Sequence, residues 1–413
     1  KMLRFIPGTA QDVRAYFLTL QYWLAGSDDN VVGMIQALAS RYAGHAARAE
    51  APRDYPEVGV YHPALAERMA EHVDALPGGA GTRGTVGVLL LRSYLLGRDA
   101  GHYDGVIAAL EARGLRVIPA FASGLDSRPA IERFFVVDGV PVVDAVVSLT
   151  GFSLVGGPAY NDAEAAETML ATLDVPYVAA HPIEFQSLQQ WGASRQGLLP
   201  IEATMMVAIP ELDGATLPTV FGGRADASGE ACTGCGRRCT WPASGLAREM
   251  QSCPERAEAL AGKVAKLVAL RRSVRAERNL AIVLFNFPPN AGATGTAAHL
   301  AVWESLQATL SRLAAEGYDV DVPADVDALR AAVLQGNAAR YGADANVHAR
   351  IPADDHVRRE PHLAQIEAQW GPAPGKQQSD GGHIHVLGAQ FGRVFVGIQH
   401  VDMAAVALLL AGG

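Results

Sequence analysis

Between Thr85 and His181 the chain repeats one unit, a continuous apolar run of strand length followed by a helix-patterned segment. TVGVLLLRS, RVIPAFA, DAVVSLT and VPYVAAH are the runs; HYDGVIAALEARG, a short helix from Pro129 to Phe135 and NDAEAAETMLATL lie between them. A strand that is apolar on both sides has no face to offer water, so it belongs in a sheet covered by helices on both faces. Helical crossovers make such a sheet parallel. The pattern predicts a doubly wound α/β domain over residues 84–225, with TMMVAIPEL as a further strand. In such sheets ligands sit beyond the carboxyl ends of the strands. Those ends carry Ser93-Tyr94, Ser123-Gly124, the loop TGFSLVGGPAYND with Tyr160 and Asn161, and His181-Pro182.

Residues 1–83 read as a mainly helical opening segment. Val13, Tyr16, Phe17, Leu20 and Leu24 recur at three and four, Gly26-Ser27 supplies a stop, and VVGMIQALASRYA repeats the pattern, so these side chains are expected in a core. EVGVYHP is a short strand ended by Pro63, and PGGAGTRG marks a boundary. Residues 226–256 form a cysteine-bearing junction. Residues 257–413 read as a second doubly wound, Rossmann- or flavodoxin-like α/β domain: helix RAEALAGKVAKLVALRRSVRAER, strand NLAIVLFNF, helix AAHLAVWESLQATLSRLAAEG, strand YDVDVPA and helix VDALRAAVLQG. A polar stretch from Asn337 to Asp380 then leads to HIHVLGA and GRVFVGI, which resemble a strand pair. AALEARGLRVIPAFAS and SRLAAEGYDVDVPADV share the order helix, glycine, strand, proline, an echo that any two βαβ units also give.

Hydrophobic residues make up 49% of the 413, enough for a core in each domain. With 19% charged residues and a net charge of −9 there is no basic excess to neutralise phosphates, which argues against nucleic acid as a partner. The longest apolar run, Met403 to Ala411, falls well short of the roughly 20 residues of a membrane-spanning helix. With no signal peptide at its start, the chain is expected in the cytoplasm, free or peripheral to a membrane. It begins at Lys1 inside a patterned segment, as a piece of something longer would.

All four cysteines fall in one window: Cys232, Cys235 and Cys239, then Cys253 before Pro254. Two thiolates two residues apart can reach one metal centre, and three packed thiols with a fourth before proline resemble ferredoxin-type runs more than paired zinc ligands. A [4Fe–4S] cluster is the first expectation, Zn2+ the alternative, and free thiols the third; Arg237, Arg238 and Arg248 would offset thiolate charge. A second candidate is the strand–loop–helix junction NFPPNAGATGTAAHL, with Asn286, Asn290, Gly292, Thr294, Gly295 and Thr296. Unpaired N–H groups at a helix start favour an anion there, though a turn that merely needs glycine explains the same residues. Neither this loop nor the one carrying Tyr160 and Asn161 has a P-loop lysine or GxGxxG, so no nucleotide is assigned. His383 and His385 share one strand face without a third ligand in view, whereas His62, His181 and His348 are isolated and structural. There is no GxSxG or HExxH, and no catalytic residue is assigned.

LRFIPGTAQDVRAYFLTLQYWLAGS, YPEVGVYHP, GHYDGVIAALEARGLRVIPAFASGLDSRPAIERFF, VVSLTGFSLVGGPAYND, VLFNFPPNAGATGTAAHL and GADANVHARIPADDHVRRE resemble the large, porphyrin-binding H subunits of the CobN/magnesium chelatase family. The resemblance runs collinearly from residue 3 to about residue 399, and some bacterial members carry the same cysteines. It implies a part in the ATP-dependent insertion of Mg2+ into protoporphyrin IX during chlorophyll or bacteriochlorophyll synthesis. An AAA+ ATPase subunit would use the ATP, alongside an accessory subunit. It also gives the glycine loops a ligand, because porphyrin propionates are carboxylates. Where family members continue into a glycine-rich acidic stretch and a histidine–glycine–glutamate motif, this chain reads HVDMAAVALLLAGG. It is therefore expected to be inactive alone, as an N-terminal portion or a truncated form.

Overall fold

The computed structural model describes residues 9–46, 48–77, 83–157, 159–226, 228–241, 249–286, 294–295, 299–375 and 378–398. Two compact units result, Lys1–Arg272 and Ser273–Gly413.

The first unit opens with a helical hairpin, α1 (Thr9–Ala25) and α2 (Asp28–Tyr42). Gly26 ends α1 at φ +62°, and Ser27 starts α2 by accepting the Asn30 N–H on its hydroxyl at 3.2 Å. Tyr22 packs on Gly33, where a Cβ would lie 2.9 Å from the ring. That contact uses the side of α1 opposite the apolar stripe, so Val13, Tyr16, Phe17 and Leu24 are exposed, not core.

An eight-stranded sheet follows: β1 (Val58–Tyr61), β2 (Met69–Ala70), β3 (Thr85–Leu91), β4 (Arg116–Ala122), β5 (Ala145–Ser148), β6 (Tyr177–Ile183), β7 (Thr216–Arg224) and β8 (Met250–Ser252), in the order β8-β7-β6-β5-β3-β4-β1-β2. The strands from β4 across to β7 are parallel, while β1, β2 and β8 are antiparallel edges. Read in chain order, the parallel strands run 2-1-3-4-5, so the winding reverses between β3 and β5.

The helices of this unit are α3 (Gly101–Glu111), α4 (Arg128–Phe134), α5 (Ala163–Leu173), α6 (Leu188–Ala193) and α7 (Pro254–Arg272). The period of two sorts the strands' side chains between two cores. Val86, Val88, Leu90, Val117 and Phe121 meet α3 and α7 on one face; Leu89, Ile118 and Ala120 meet α4 and α5 on the other. Both faces are covered, which is why the runs carry no polar alternation.

Two sequence expectations change in this unit, and one strand goes unread. The helix expected to open the second domain at residue 257 is α7, which buries Ala257, Leu260, Ala261, Val264 and Val268 against the first sheet. TMMVAIPEL is helical: Pro200 starts a helical stretch to Leu212, and Glu202 accepts the Leu199 N–H at 2.9 Å. The strand lies just beyond, in TLPTVFGGR, where Pro218 and two glycines leave no strand signature. A Cβ on Gly222 would sit 2.5 Å from the Gln251 carbonyl and one on Gly223 2.4 Å from that of Ile183, so the close strands β6 and β8 require glycine.

The second unit has a four-stranded sheet, β9 (Leu280–Leu284), β10 (Val347–Pro352), β11 (His383–Phe391) and β12 (Val394–Ile398), in the order β9-β12-β11-β10. Only β9 and β12 are parallel; β11 pairs antiparallel with both β10 and β12. Helices α8 (Val302–Ala315) and α9 (Val326–Leu334) cover it through Leu306, Leu310, Leu329 and Val333. The expected second doubly wound sheet is thus a mixed one. YDVDVPA forms no strand, because it lies against the β11–β12 turn: the Asp319 carbonyl accepts the Arg393 N–H at 2.8 Å and Asp321 accepts that of Gly392 at 3.1 Å. The polar stretch from Asn337 to Asp380 contributes β10 and helices Ala353–Arg359 and Leu363–Trp370.

Burial in the first unit has a pH consequence. His102 on α3 is fully buried, stacks on Phe221 at 5.8 Å and lacks a hydrogen bond on either ring nitrogen. Burial, and then the charge of Arg224, lower its pKa from 6.5 to about 3; burial alone lowers that of His181 to about 4. Below pH 6.5 the unfolded imidazoles take up protons that the folded ones refuse, so stability is full above that pH and falls as pH drops toward 4. Each histidine costs up to about 1.4 kcal/mol per pH unit. Denaturant midpoints at pH 7.5, 6 and 5 should fall in that order, with a shallower slope for His102→Phe; an unchanged slope would refute the assignment.

Candidate functional site

At the carboxyl edge of the first sheet, between the ends of β3, β4 and β5, lies a small crevice lined by Leu91, Ala122, Ser127, Thr150, Ser153 and Gly156. This is where the winding reverses, the ligand position of such sheets. Its far wall is a small hairpin, Gly156–Gly157 with Tyr160–Asn161, bonded to the β4–α4 loop from Gly156 N–H to Leu125 carbonyl at 2.8 Å. The buried Asp213 holds that wall by accepting the Leu154 N–H at 2.7 Å and the Ser153 hydroxyl at 3.0 Å; burial raises its pKa nonetheless. Tyr160 is exposed and Asn161 half-buried, and neither lines the crevice. The space is open to solvent and far below the roughly 300–1,000 Å³ of ligand pockets. Beside it the Tyr94 hydroxyl donates to Glu184 at 2.6 Å, joining the ends of β3 and β6. Glu184 and Asp213 carry no mark in the sequence, because nothing local shows that an acid reaches a distant loop.

In the second unit, Asn286 follows β9 and is nearly buried with Thr294, whose hydroxyl donates to the Asn286 side-chain oxygen at 3.3 Å. This bond orients the amide and leaves Asn286 Nδ2 buried with no hydrogen-bond partner among the described residues. Gly295, at φ +73°, donates its N–H to the Phe285 carbonyl at 2.9 Å, and a Cβ there would stand 3.2 Å from Val302 and 3.4 Å from Trp303 Nε1. Gly295 therefore lies against the first turn of α8, a helix without a side-chain N-cap bond among the described residues. An orphan amide donor and a helix start without a side-chain cap among the described residues are each features that favour an anion. Asn290, Gly292 and Thr296 lie outside the described residues.

The cysteine loop is closed by Cys232 N–H to Cys239 carbonyl at 2.9 Å and seated on α6, where Gly192 and Gly234 approach so closely that a Cβ on Gly234 would lie 2.7 Å from Gly192 Cα. Cys253 immediately precedes α7, and Arg237 from the loop grips Glu258 one turn along at 2.6 and 2.9 Å. Burial raises the pKa of Cys239 and Cys253, and Cys235 raises both further, so the thiols share one electrostatic neighbourhood. The donors fit a thiophilic centre in kind. Their positions do not: among the described residues no three His, Cys, Asp or Glu side chains converge on one ion. Arg248 lies outside the described residues.

His383 and His385 do share a face of β11, 3.3 and 3.6 Å from the Asp380 carboxylate, which Arg350 also pairs. Backbone N–H donation from Gly382 first, and then Arg350, hold Asp380 well below the usual carboxylate range. The cluster ties β10 to β11 and forms no metal-ligand set among the described residues. His62 pairs with Glu111 at 3.0 Å, and His348 lies against Phe395.

The family model for CobN/Magnesium Chelatase matches residues 20–402. The chain belongs to the CobN/magnesium chelatase family. Among family members, the magnesium-chelatase H subunit of Cereibacter sphaeroides is 55% identical over 406 residues, 97% of this chain and 34% of that protein. The chloroplastic magnesium-chelatase ChlH subunit of Oryza sativa subsp. indica is 37% identical over 420 residues, 97% of this chain and 29% of that protein. The chain thus spans about a third of the length of these curated relatives. The catalytic subunit of cobaltochelatase from Mycobacterium tuberculosis shares the fold with a TM-score of 0.66 at 22% identity, over 95% of this chain and 32% of that one. Among the described residues of this family member, no helix is long and apolar enough to cross a membrane.

Proposed function

We propose that this chain is a porphyrin-binding part of the large H subunit of a magnesium chelatase. That enzyme inserts Mg2+ into protoporphyrin IX in chlorophyll or bacteriochlorophyll synthesis, with ATP hydrolysed by a separate AAA+ subunit working with an accessory subunit. The observation that carries the reading is the 55% identity to a magnesium-chelatase H subunit across 97% of this chain. An aerobic cobaltochelatase CobN subunit from Sinorhizobium is 29% identical over 76% of the chain, so cobalt insertion is the weaker alternative. A porphyrin presents carboxylates on a flat apolar ring. In the second unit the Asn286 amide and the α8 N-terminus are the donors proposed for one propionate. The role of these residues is to bind and orient; no group here is assigned to metal insertion. Titration with deuteroporphyrin IX, followed by tryptophan quenching, should saturate in the micromolar range. Quenching that stays linear would leave this part of the protein without porphyrin contacts.

The cysteines carry a second, regulatory reading, a [4Fe–4S] or zinc site, on their number, type and spacing in the sequence, since their side chains do not converge on one ion among the described residues. Iron, sulfide and zinc analysis after anaerobic purification tests it. Metal retained by the wild type and lost in Cys235→Ser supports the site; metal-free wild-type protein removes it.

A further inference from the structure

We infer that Cys235 and Cys239 form a thiol–disulfide switch that exchanges with low-molecular-weight disulfides of the glutathione class. The four cysteines are not equivalent in the fold. Cys232 is buried, its sulfur donating to the Leu188 carbonyl at 3.7 Å and accepting the Gly234 N–H at 3.4 Å. A Cβ on Gly192 would lie 2.8 Å from that sulfur, so it points at α6. Cys253 is buried as well and accepts the Arg256 N–H at the start of α7. Cys235 and Cys239 are only half-buried, which makes them the two thiols that an oxidant in solution can reach.

The backbone brings this pair together. The Arg238 N–H bonds back to the Cys235 carbonyl at 3.4 Å and Arg238 takes φ +50°, so the chain reverses between the two cysteines. A turn closed in this way holds its end Cα atoms within about 7 Å, and Cys239 is the next residue. Disulfides span Cα separations of roughly 4.4–6.8 Å, within the reach of such a turn. The Cys232 N–H pins the Cys239 carbonyl at 2.9 Å and so fixes the far end of the turn. Of these two neighbouring thiols, Cys235 acts on the ionisation of Cys239 more strongly than Cys232 does, as the nearer charge would. Arg237, between the pair in sequence, brings positive charge close to both sulfurs and favours the thiolate that exchange requires. Burial outweighs it at Cys239 and raises that pKa, which slows the exchange at neutral pH, so equilibrium and not rate is the measure.

The exchange balances in two steps. One protein thiolate displaces a thiolate from the small disulfide and leaves a mixed disulfide on the chain; the second then displaces the other half. Two protein thiols give up two protons and two electrons, and the small disulfide departs as two thiols. The bridge takes two of the four sulfur donors, so the closed loop offers no four-sulfur site. Failure of the metal reading leaves this inference standing, because the open loop need not hold metal for the bridge to form.

Thiol mapping of the complete chain tests the inference, after a chelator has removed any metal and metal analysis has confirmed its removal. The chain is equilibrated in buffers of reduced and oxidised glutathione, unfolded with an alkylating label present, and mapped by peptide mass spectrometry. As the buffer becomes oxidising, Cys235 and Cys239 should lose the label together and be joined by a bridge that a reductant opens, while Cys232 and Cys253 keep theirs. The equilibrium constant for the bridge should be at least about tenfold larger in the folded chain than in guanidinium, because the turn holds the pair ready. Cys235→Ser should replace the bridge with glutathione on Cys239. A folded chain that forms no bridge, a bridge that uses Cys232 or Cys253, or one no more favoured in the folded chain than in the unfolded one overturns the proposal.

Discussion

Asn286→Leu/Thr294→Val should weaken deuteroporphyrin binding at least tenfold while leaving the second unit as stable as before, or more stable by about 1 kcal/mol. The two effects separate because the wild-type pair is costly when empty. Asn286 Nδ2 is buried and unpartnered among the described residues, and a buried donor without an acceptor costs on the order of 1–3 kcal/mol. Replacing both members of the Thr294–Asn286 bond by apolar groups of similar shape removes that cost without orphaning either. If the amide is instead held for a propionate, the same replacement removes a charge-assisted bond, and a tenfold loss corresponds to about 1.4 kcal/mol. Asn286→Asp is the sharper form, because a carboxylate facing a carboxylate should abolish binding. Isothermal titration and thermal melts read both quantities on the same samples. Unchanged affinity in the double variant would reduce the junction to a turn that needs glycine.

Leu260→Ala should cost the first unit about 2–5 kcal/mol, the range for deleting a buried leucine side chain without collapse of the space. Leu260 is fully buried in one core with Tyr103, Ile107 and Leu110 of α3 and with Val86 and Val178 of the sheet. Against a typical total of about 5–15 kcal/mol, the loss is large enough to show in native-state hydrogen exchange. Protection in β3 and β6 should fall by roughly one and a half to three and a half orders of magnitude, whereas β11 and β12 should keep theirs. Loss confined to β11 and β12 would return α7 to the second domain, where its sequence position had suggested it belonged.

What could be read from the sequence was set by how locally each element is determined. The strands β3 to β6 announce themselves because burial on both faces forces unbroken apolar runs, and Gly114 and Asp162 punctuate the helices between them in ways that depend on a few neighbours. β7 is hidden, since its glycines answer to the carbonyls of Ile183 and Gln251, far away in the chain. TMMVAIPEL has strand composition and is helical because Pro200 and Glu202 start a helix upstream of it. YDVDVPA has strand alternation but no free ladder beside it. The hairpin aromatics misled differently: helical periodicity reveals which residues share a face, not whether that face is covered.

The sites divide along the same line. Asn286, Thr294 and Gly295 are brought together by the strand–loop–helix order visible in the sequence. The crevice depends on Asp213 and Glu184, whose partners lie 60 and 90 residues away. The cysteines were found by spacing, yet spacing alone does not fix where sulfur atoms point.

The place of the cysteine loop in the sheet has a consequence for protein engineering. The loop leaves from β7 and returns into β8, and those strands are zipped together by Gly222 opposite Ser252 and Arg224 opposite Met250. Its ends are thus fixed by a ladder that does not depend on what lies between them, and its anchorage to the rest of the unit includes the Gly192–Gly234 seat and the Arg237–Glu258 grip. Such an excursion behaves like a cartridge in a socket. A reporter peptide, a different ligand loop or a plain linker could be exchanged there while the parallel sheet beneath keeps its register.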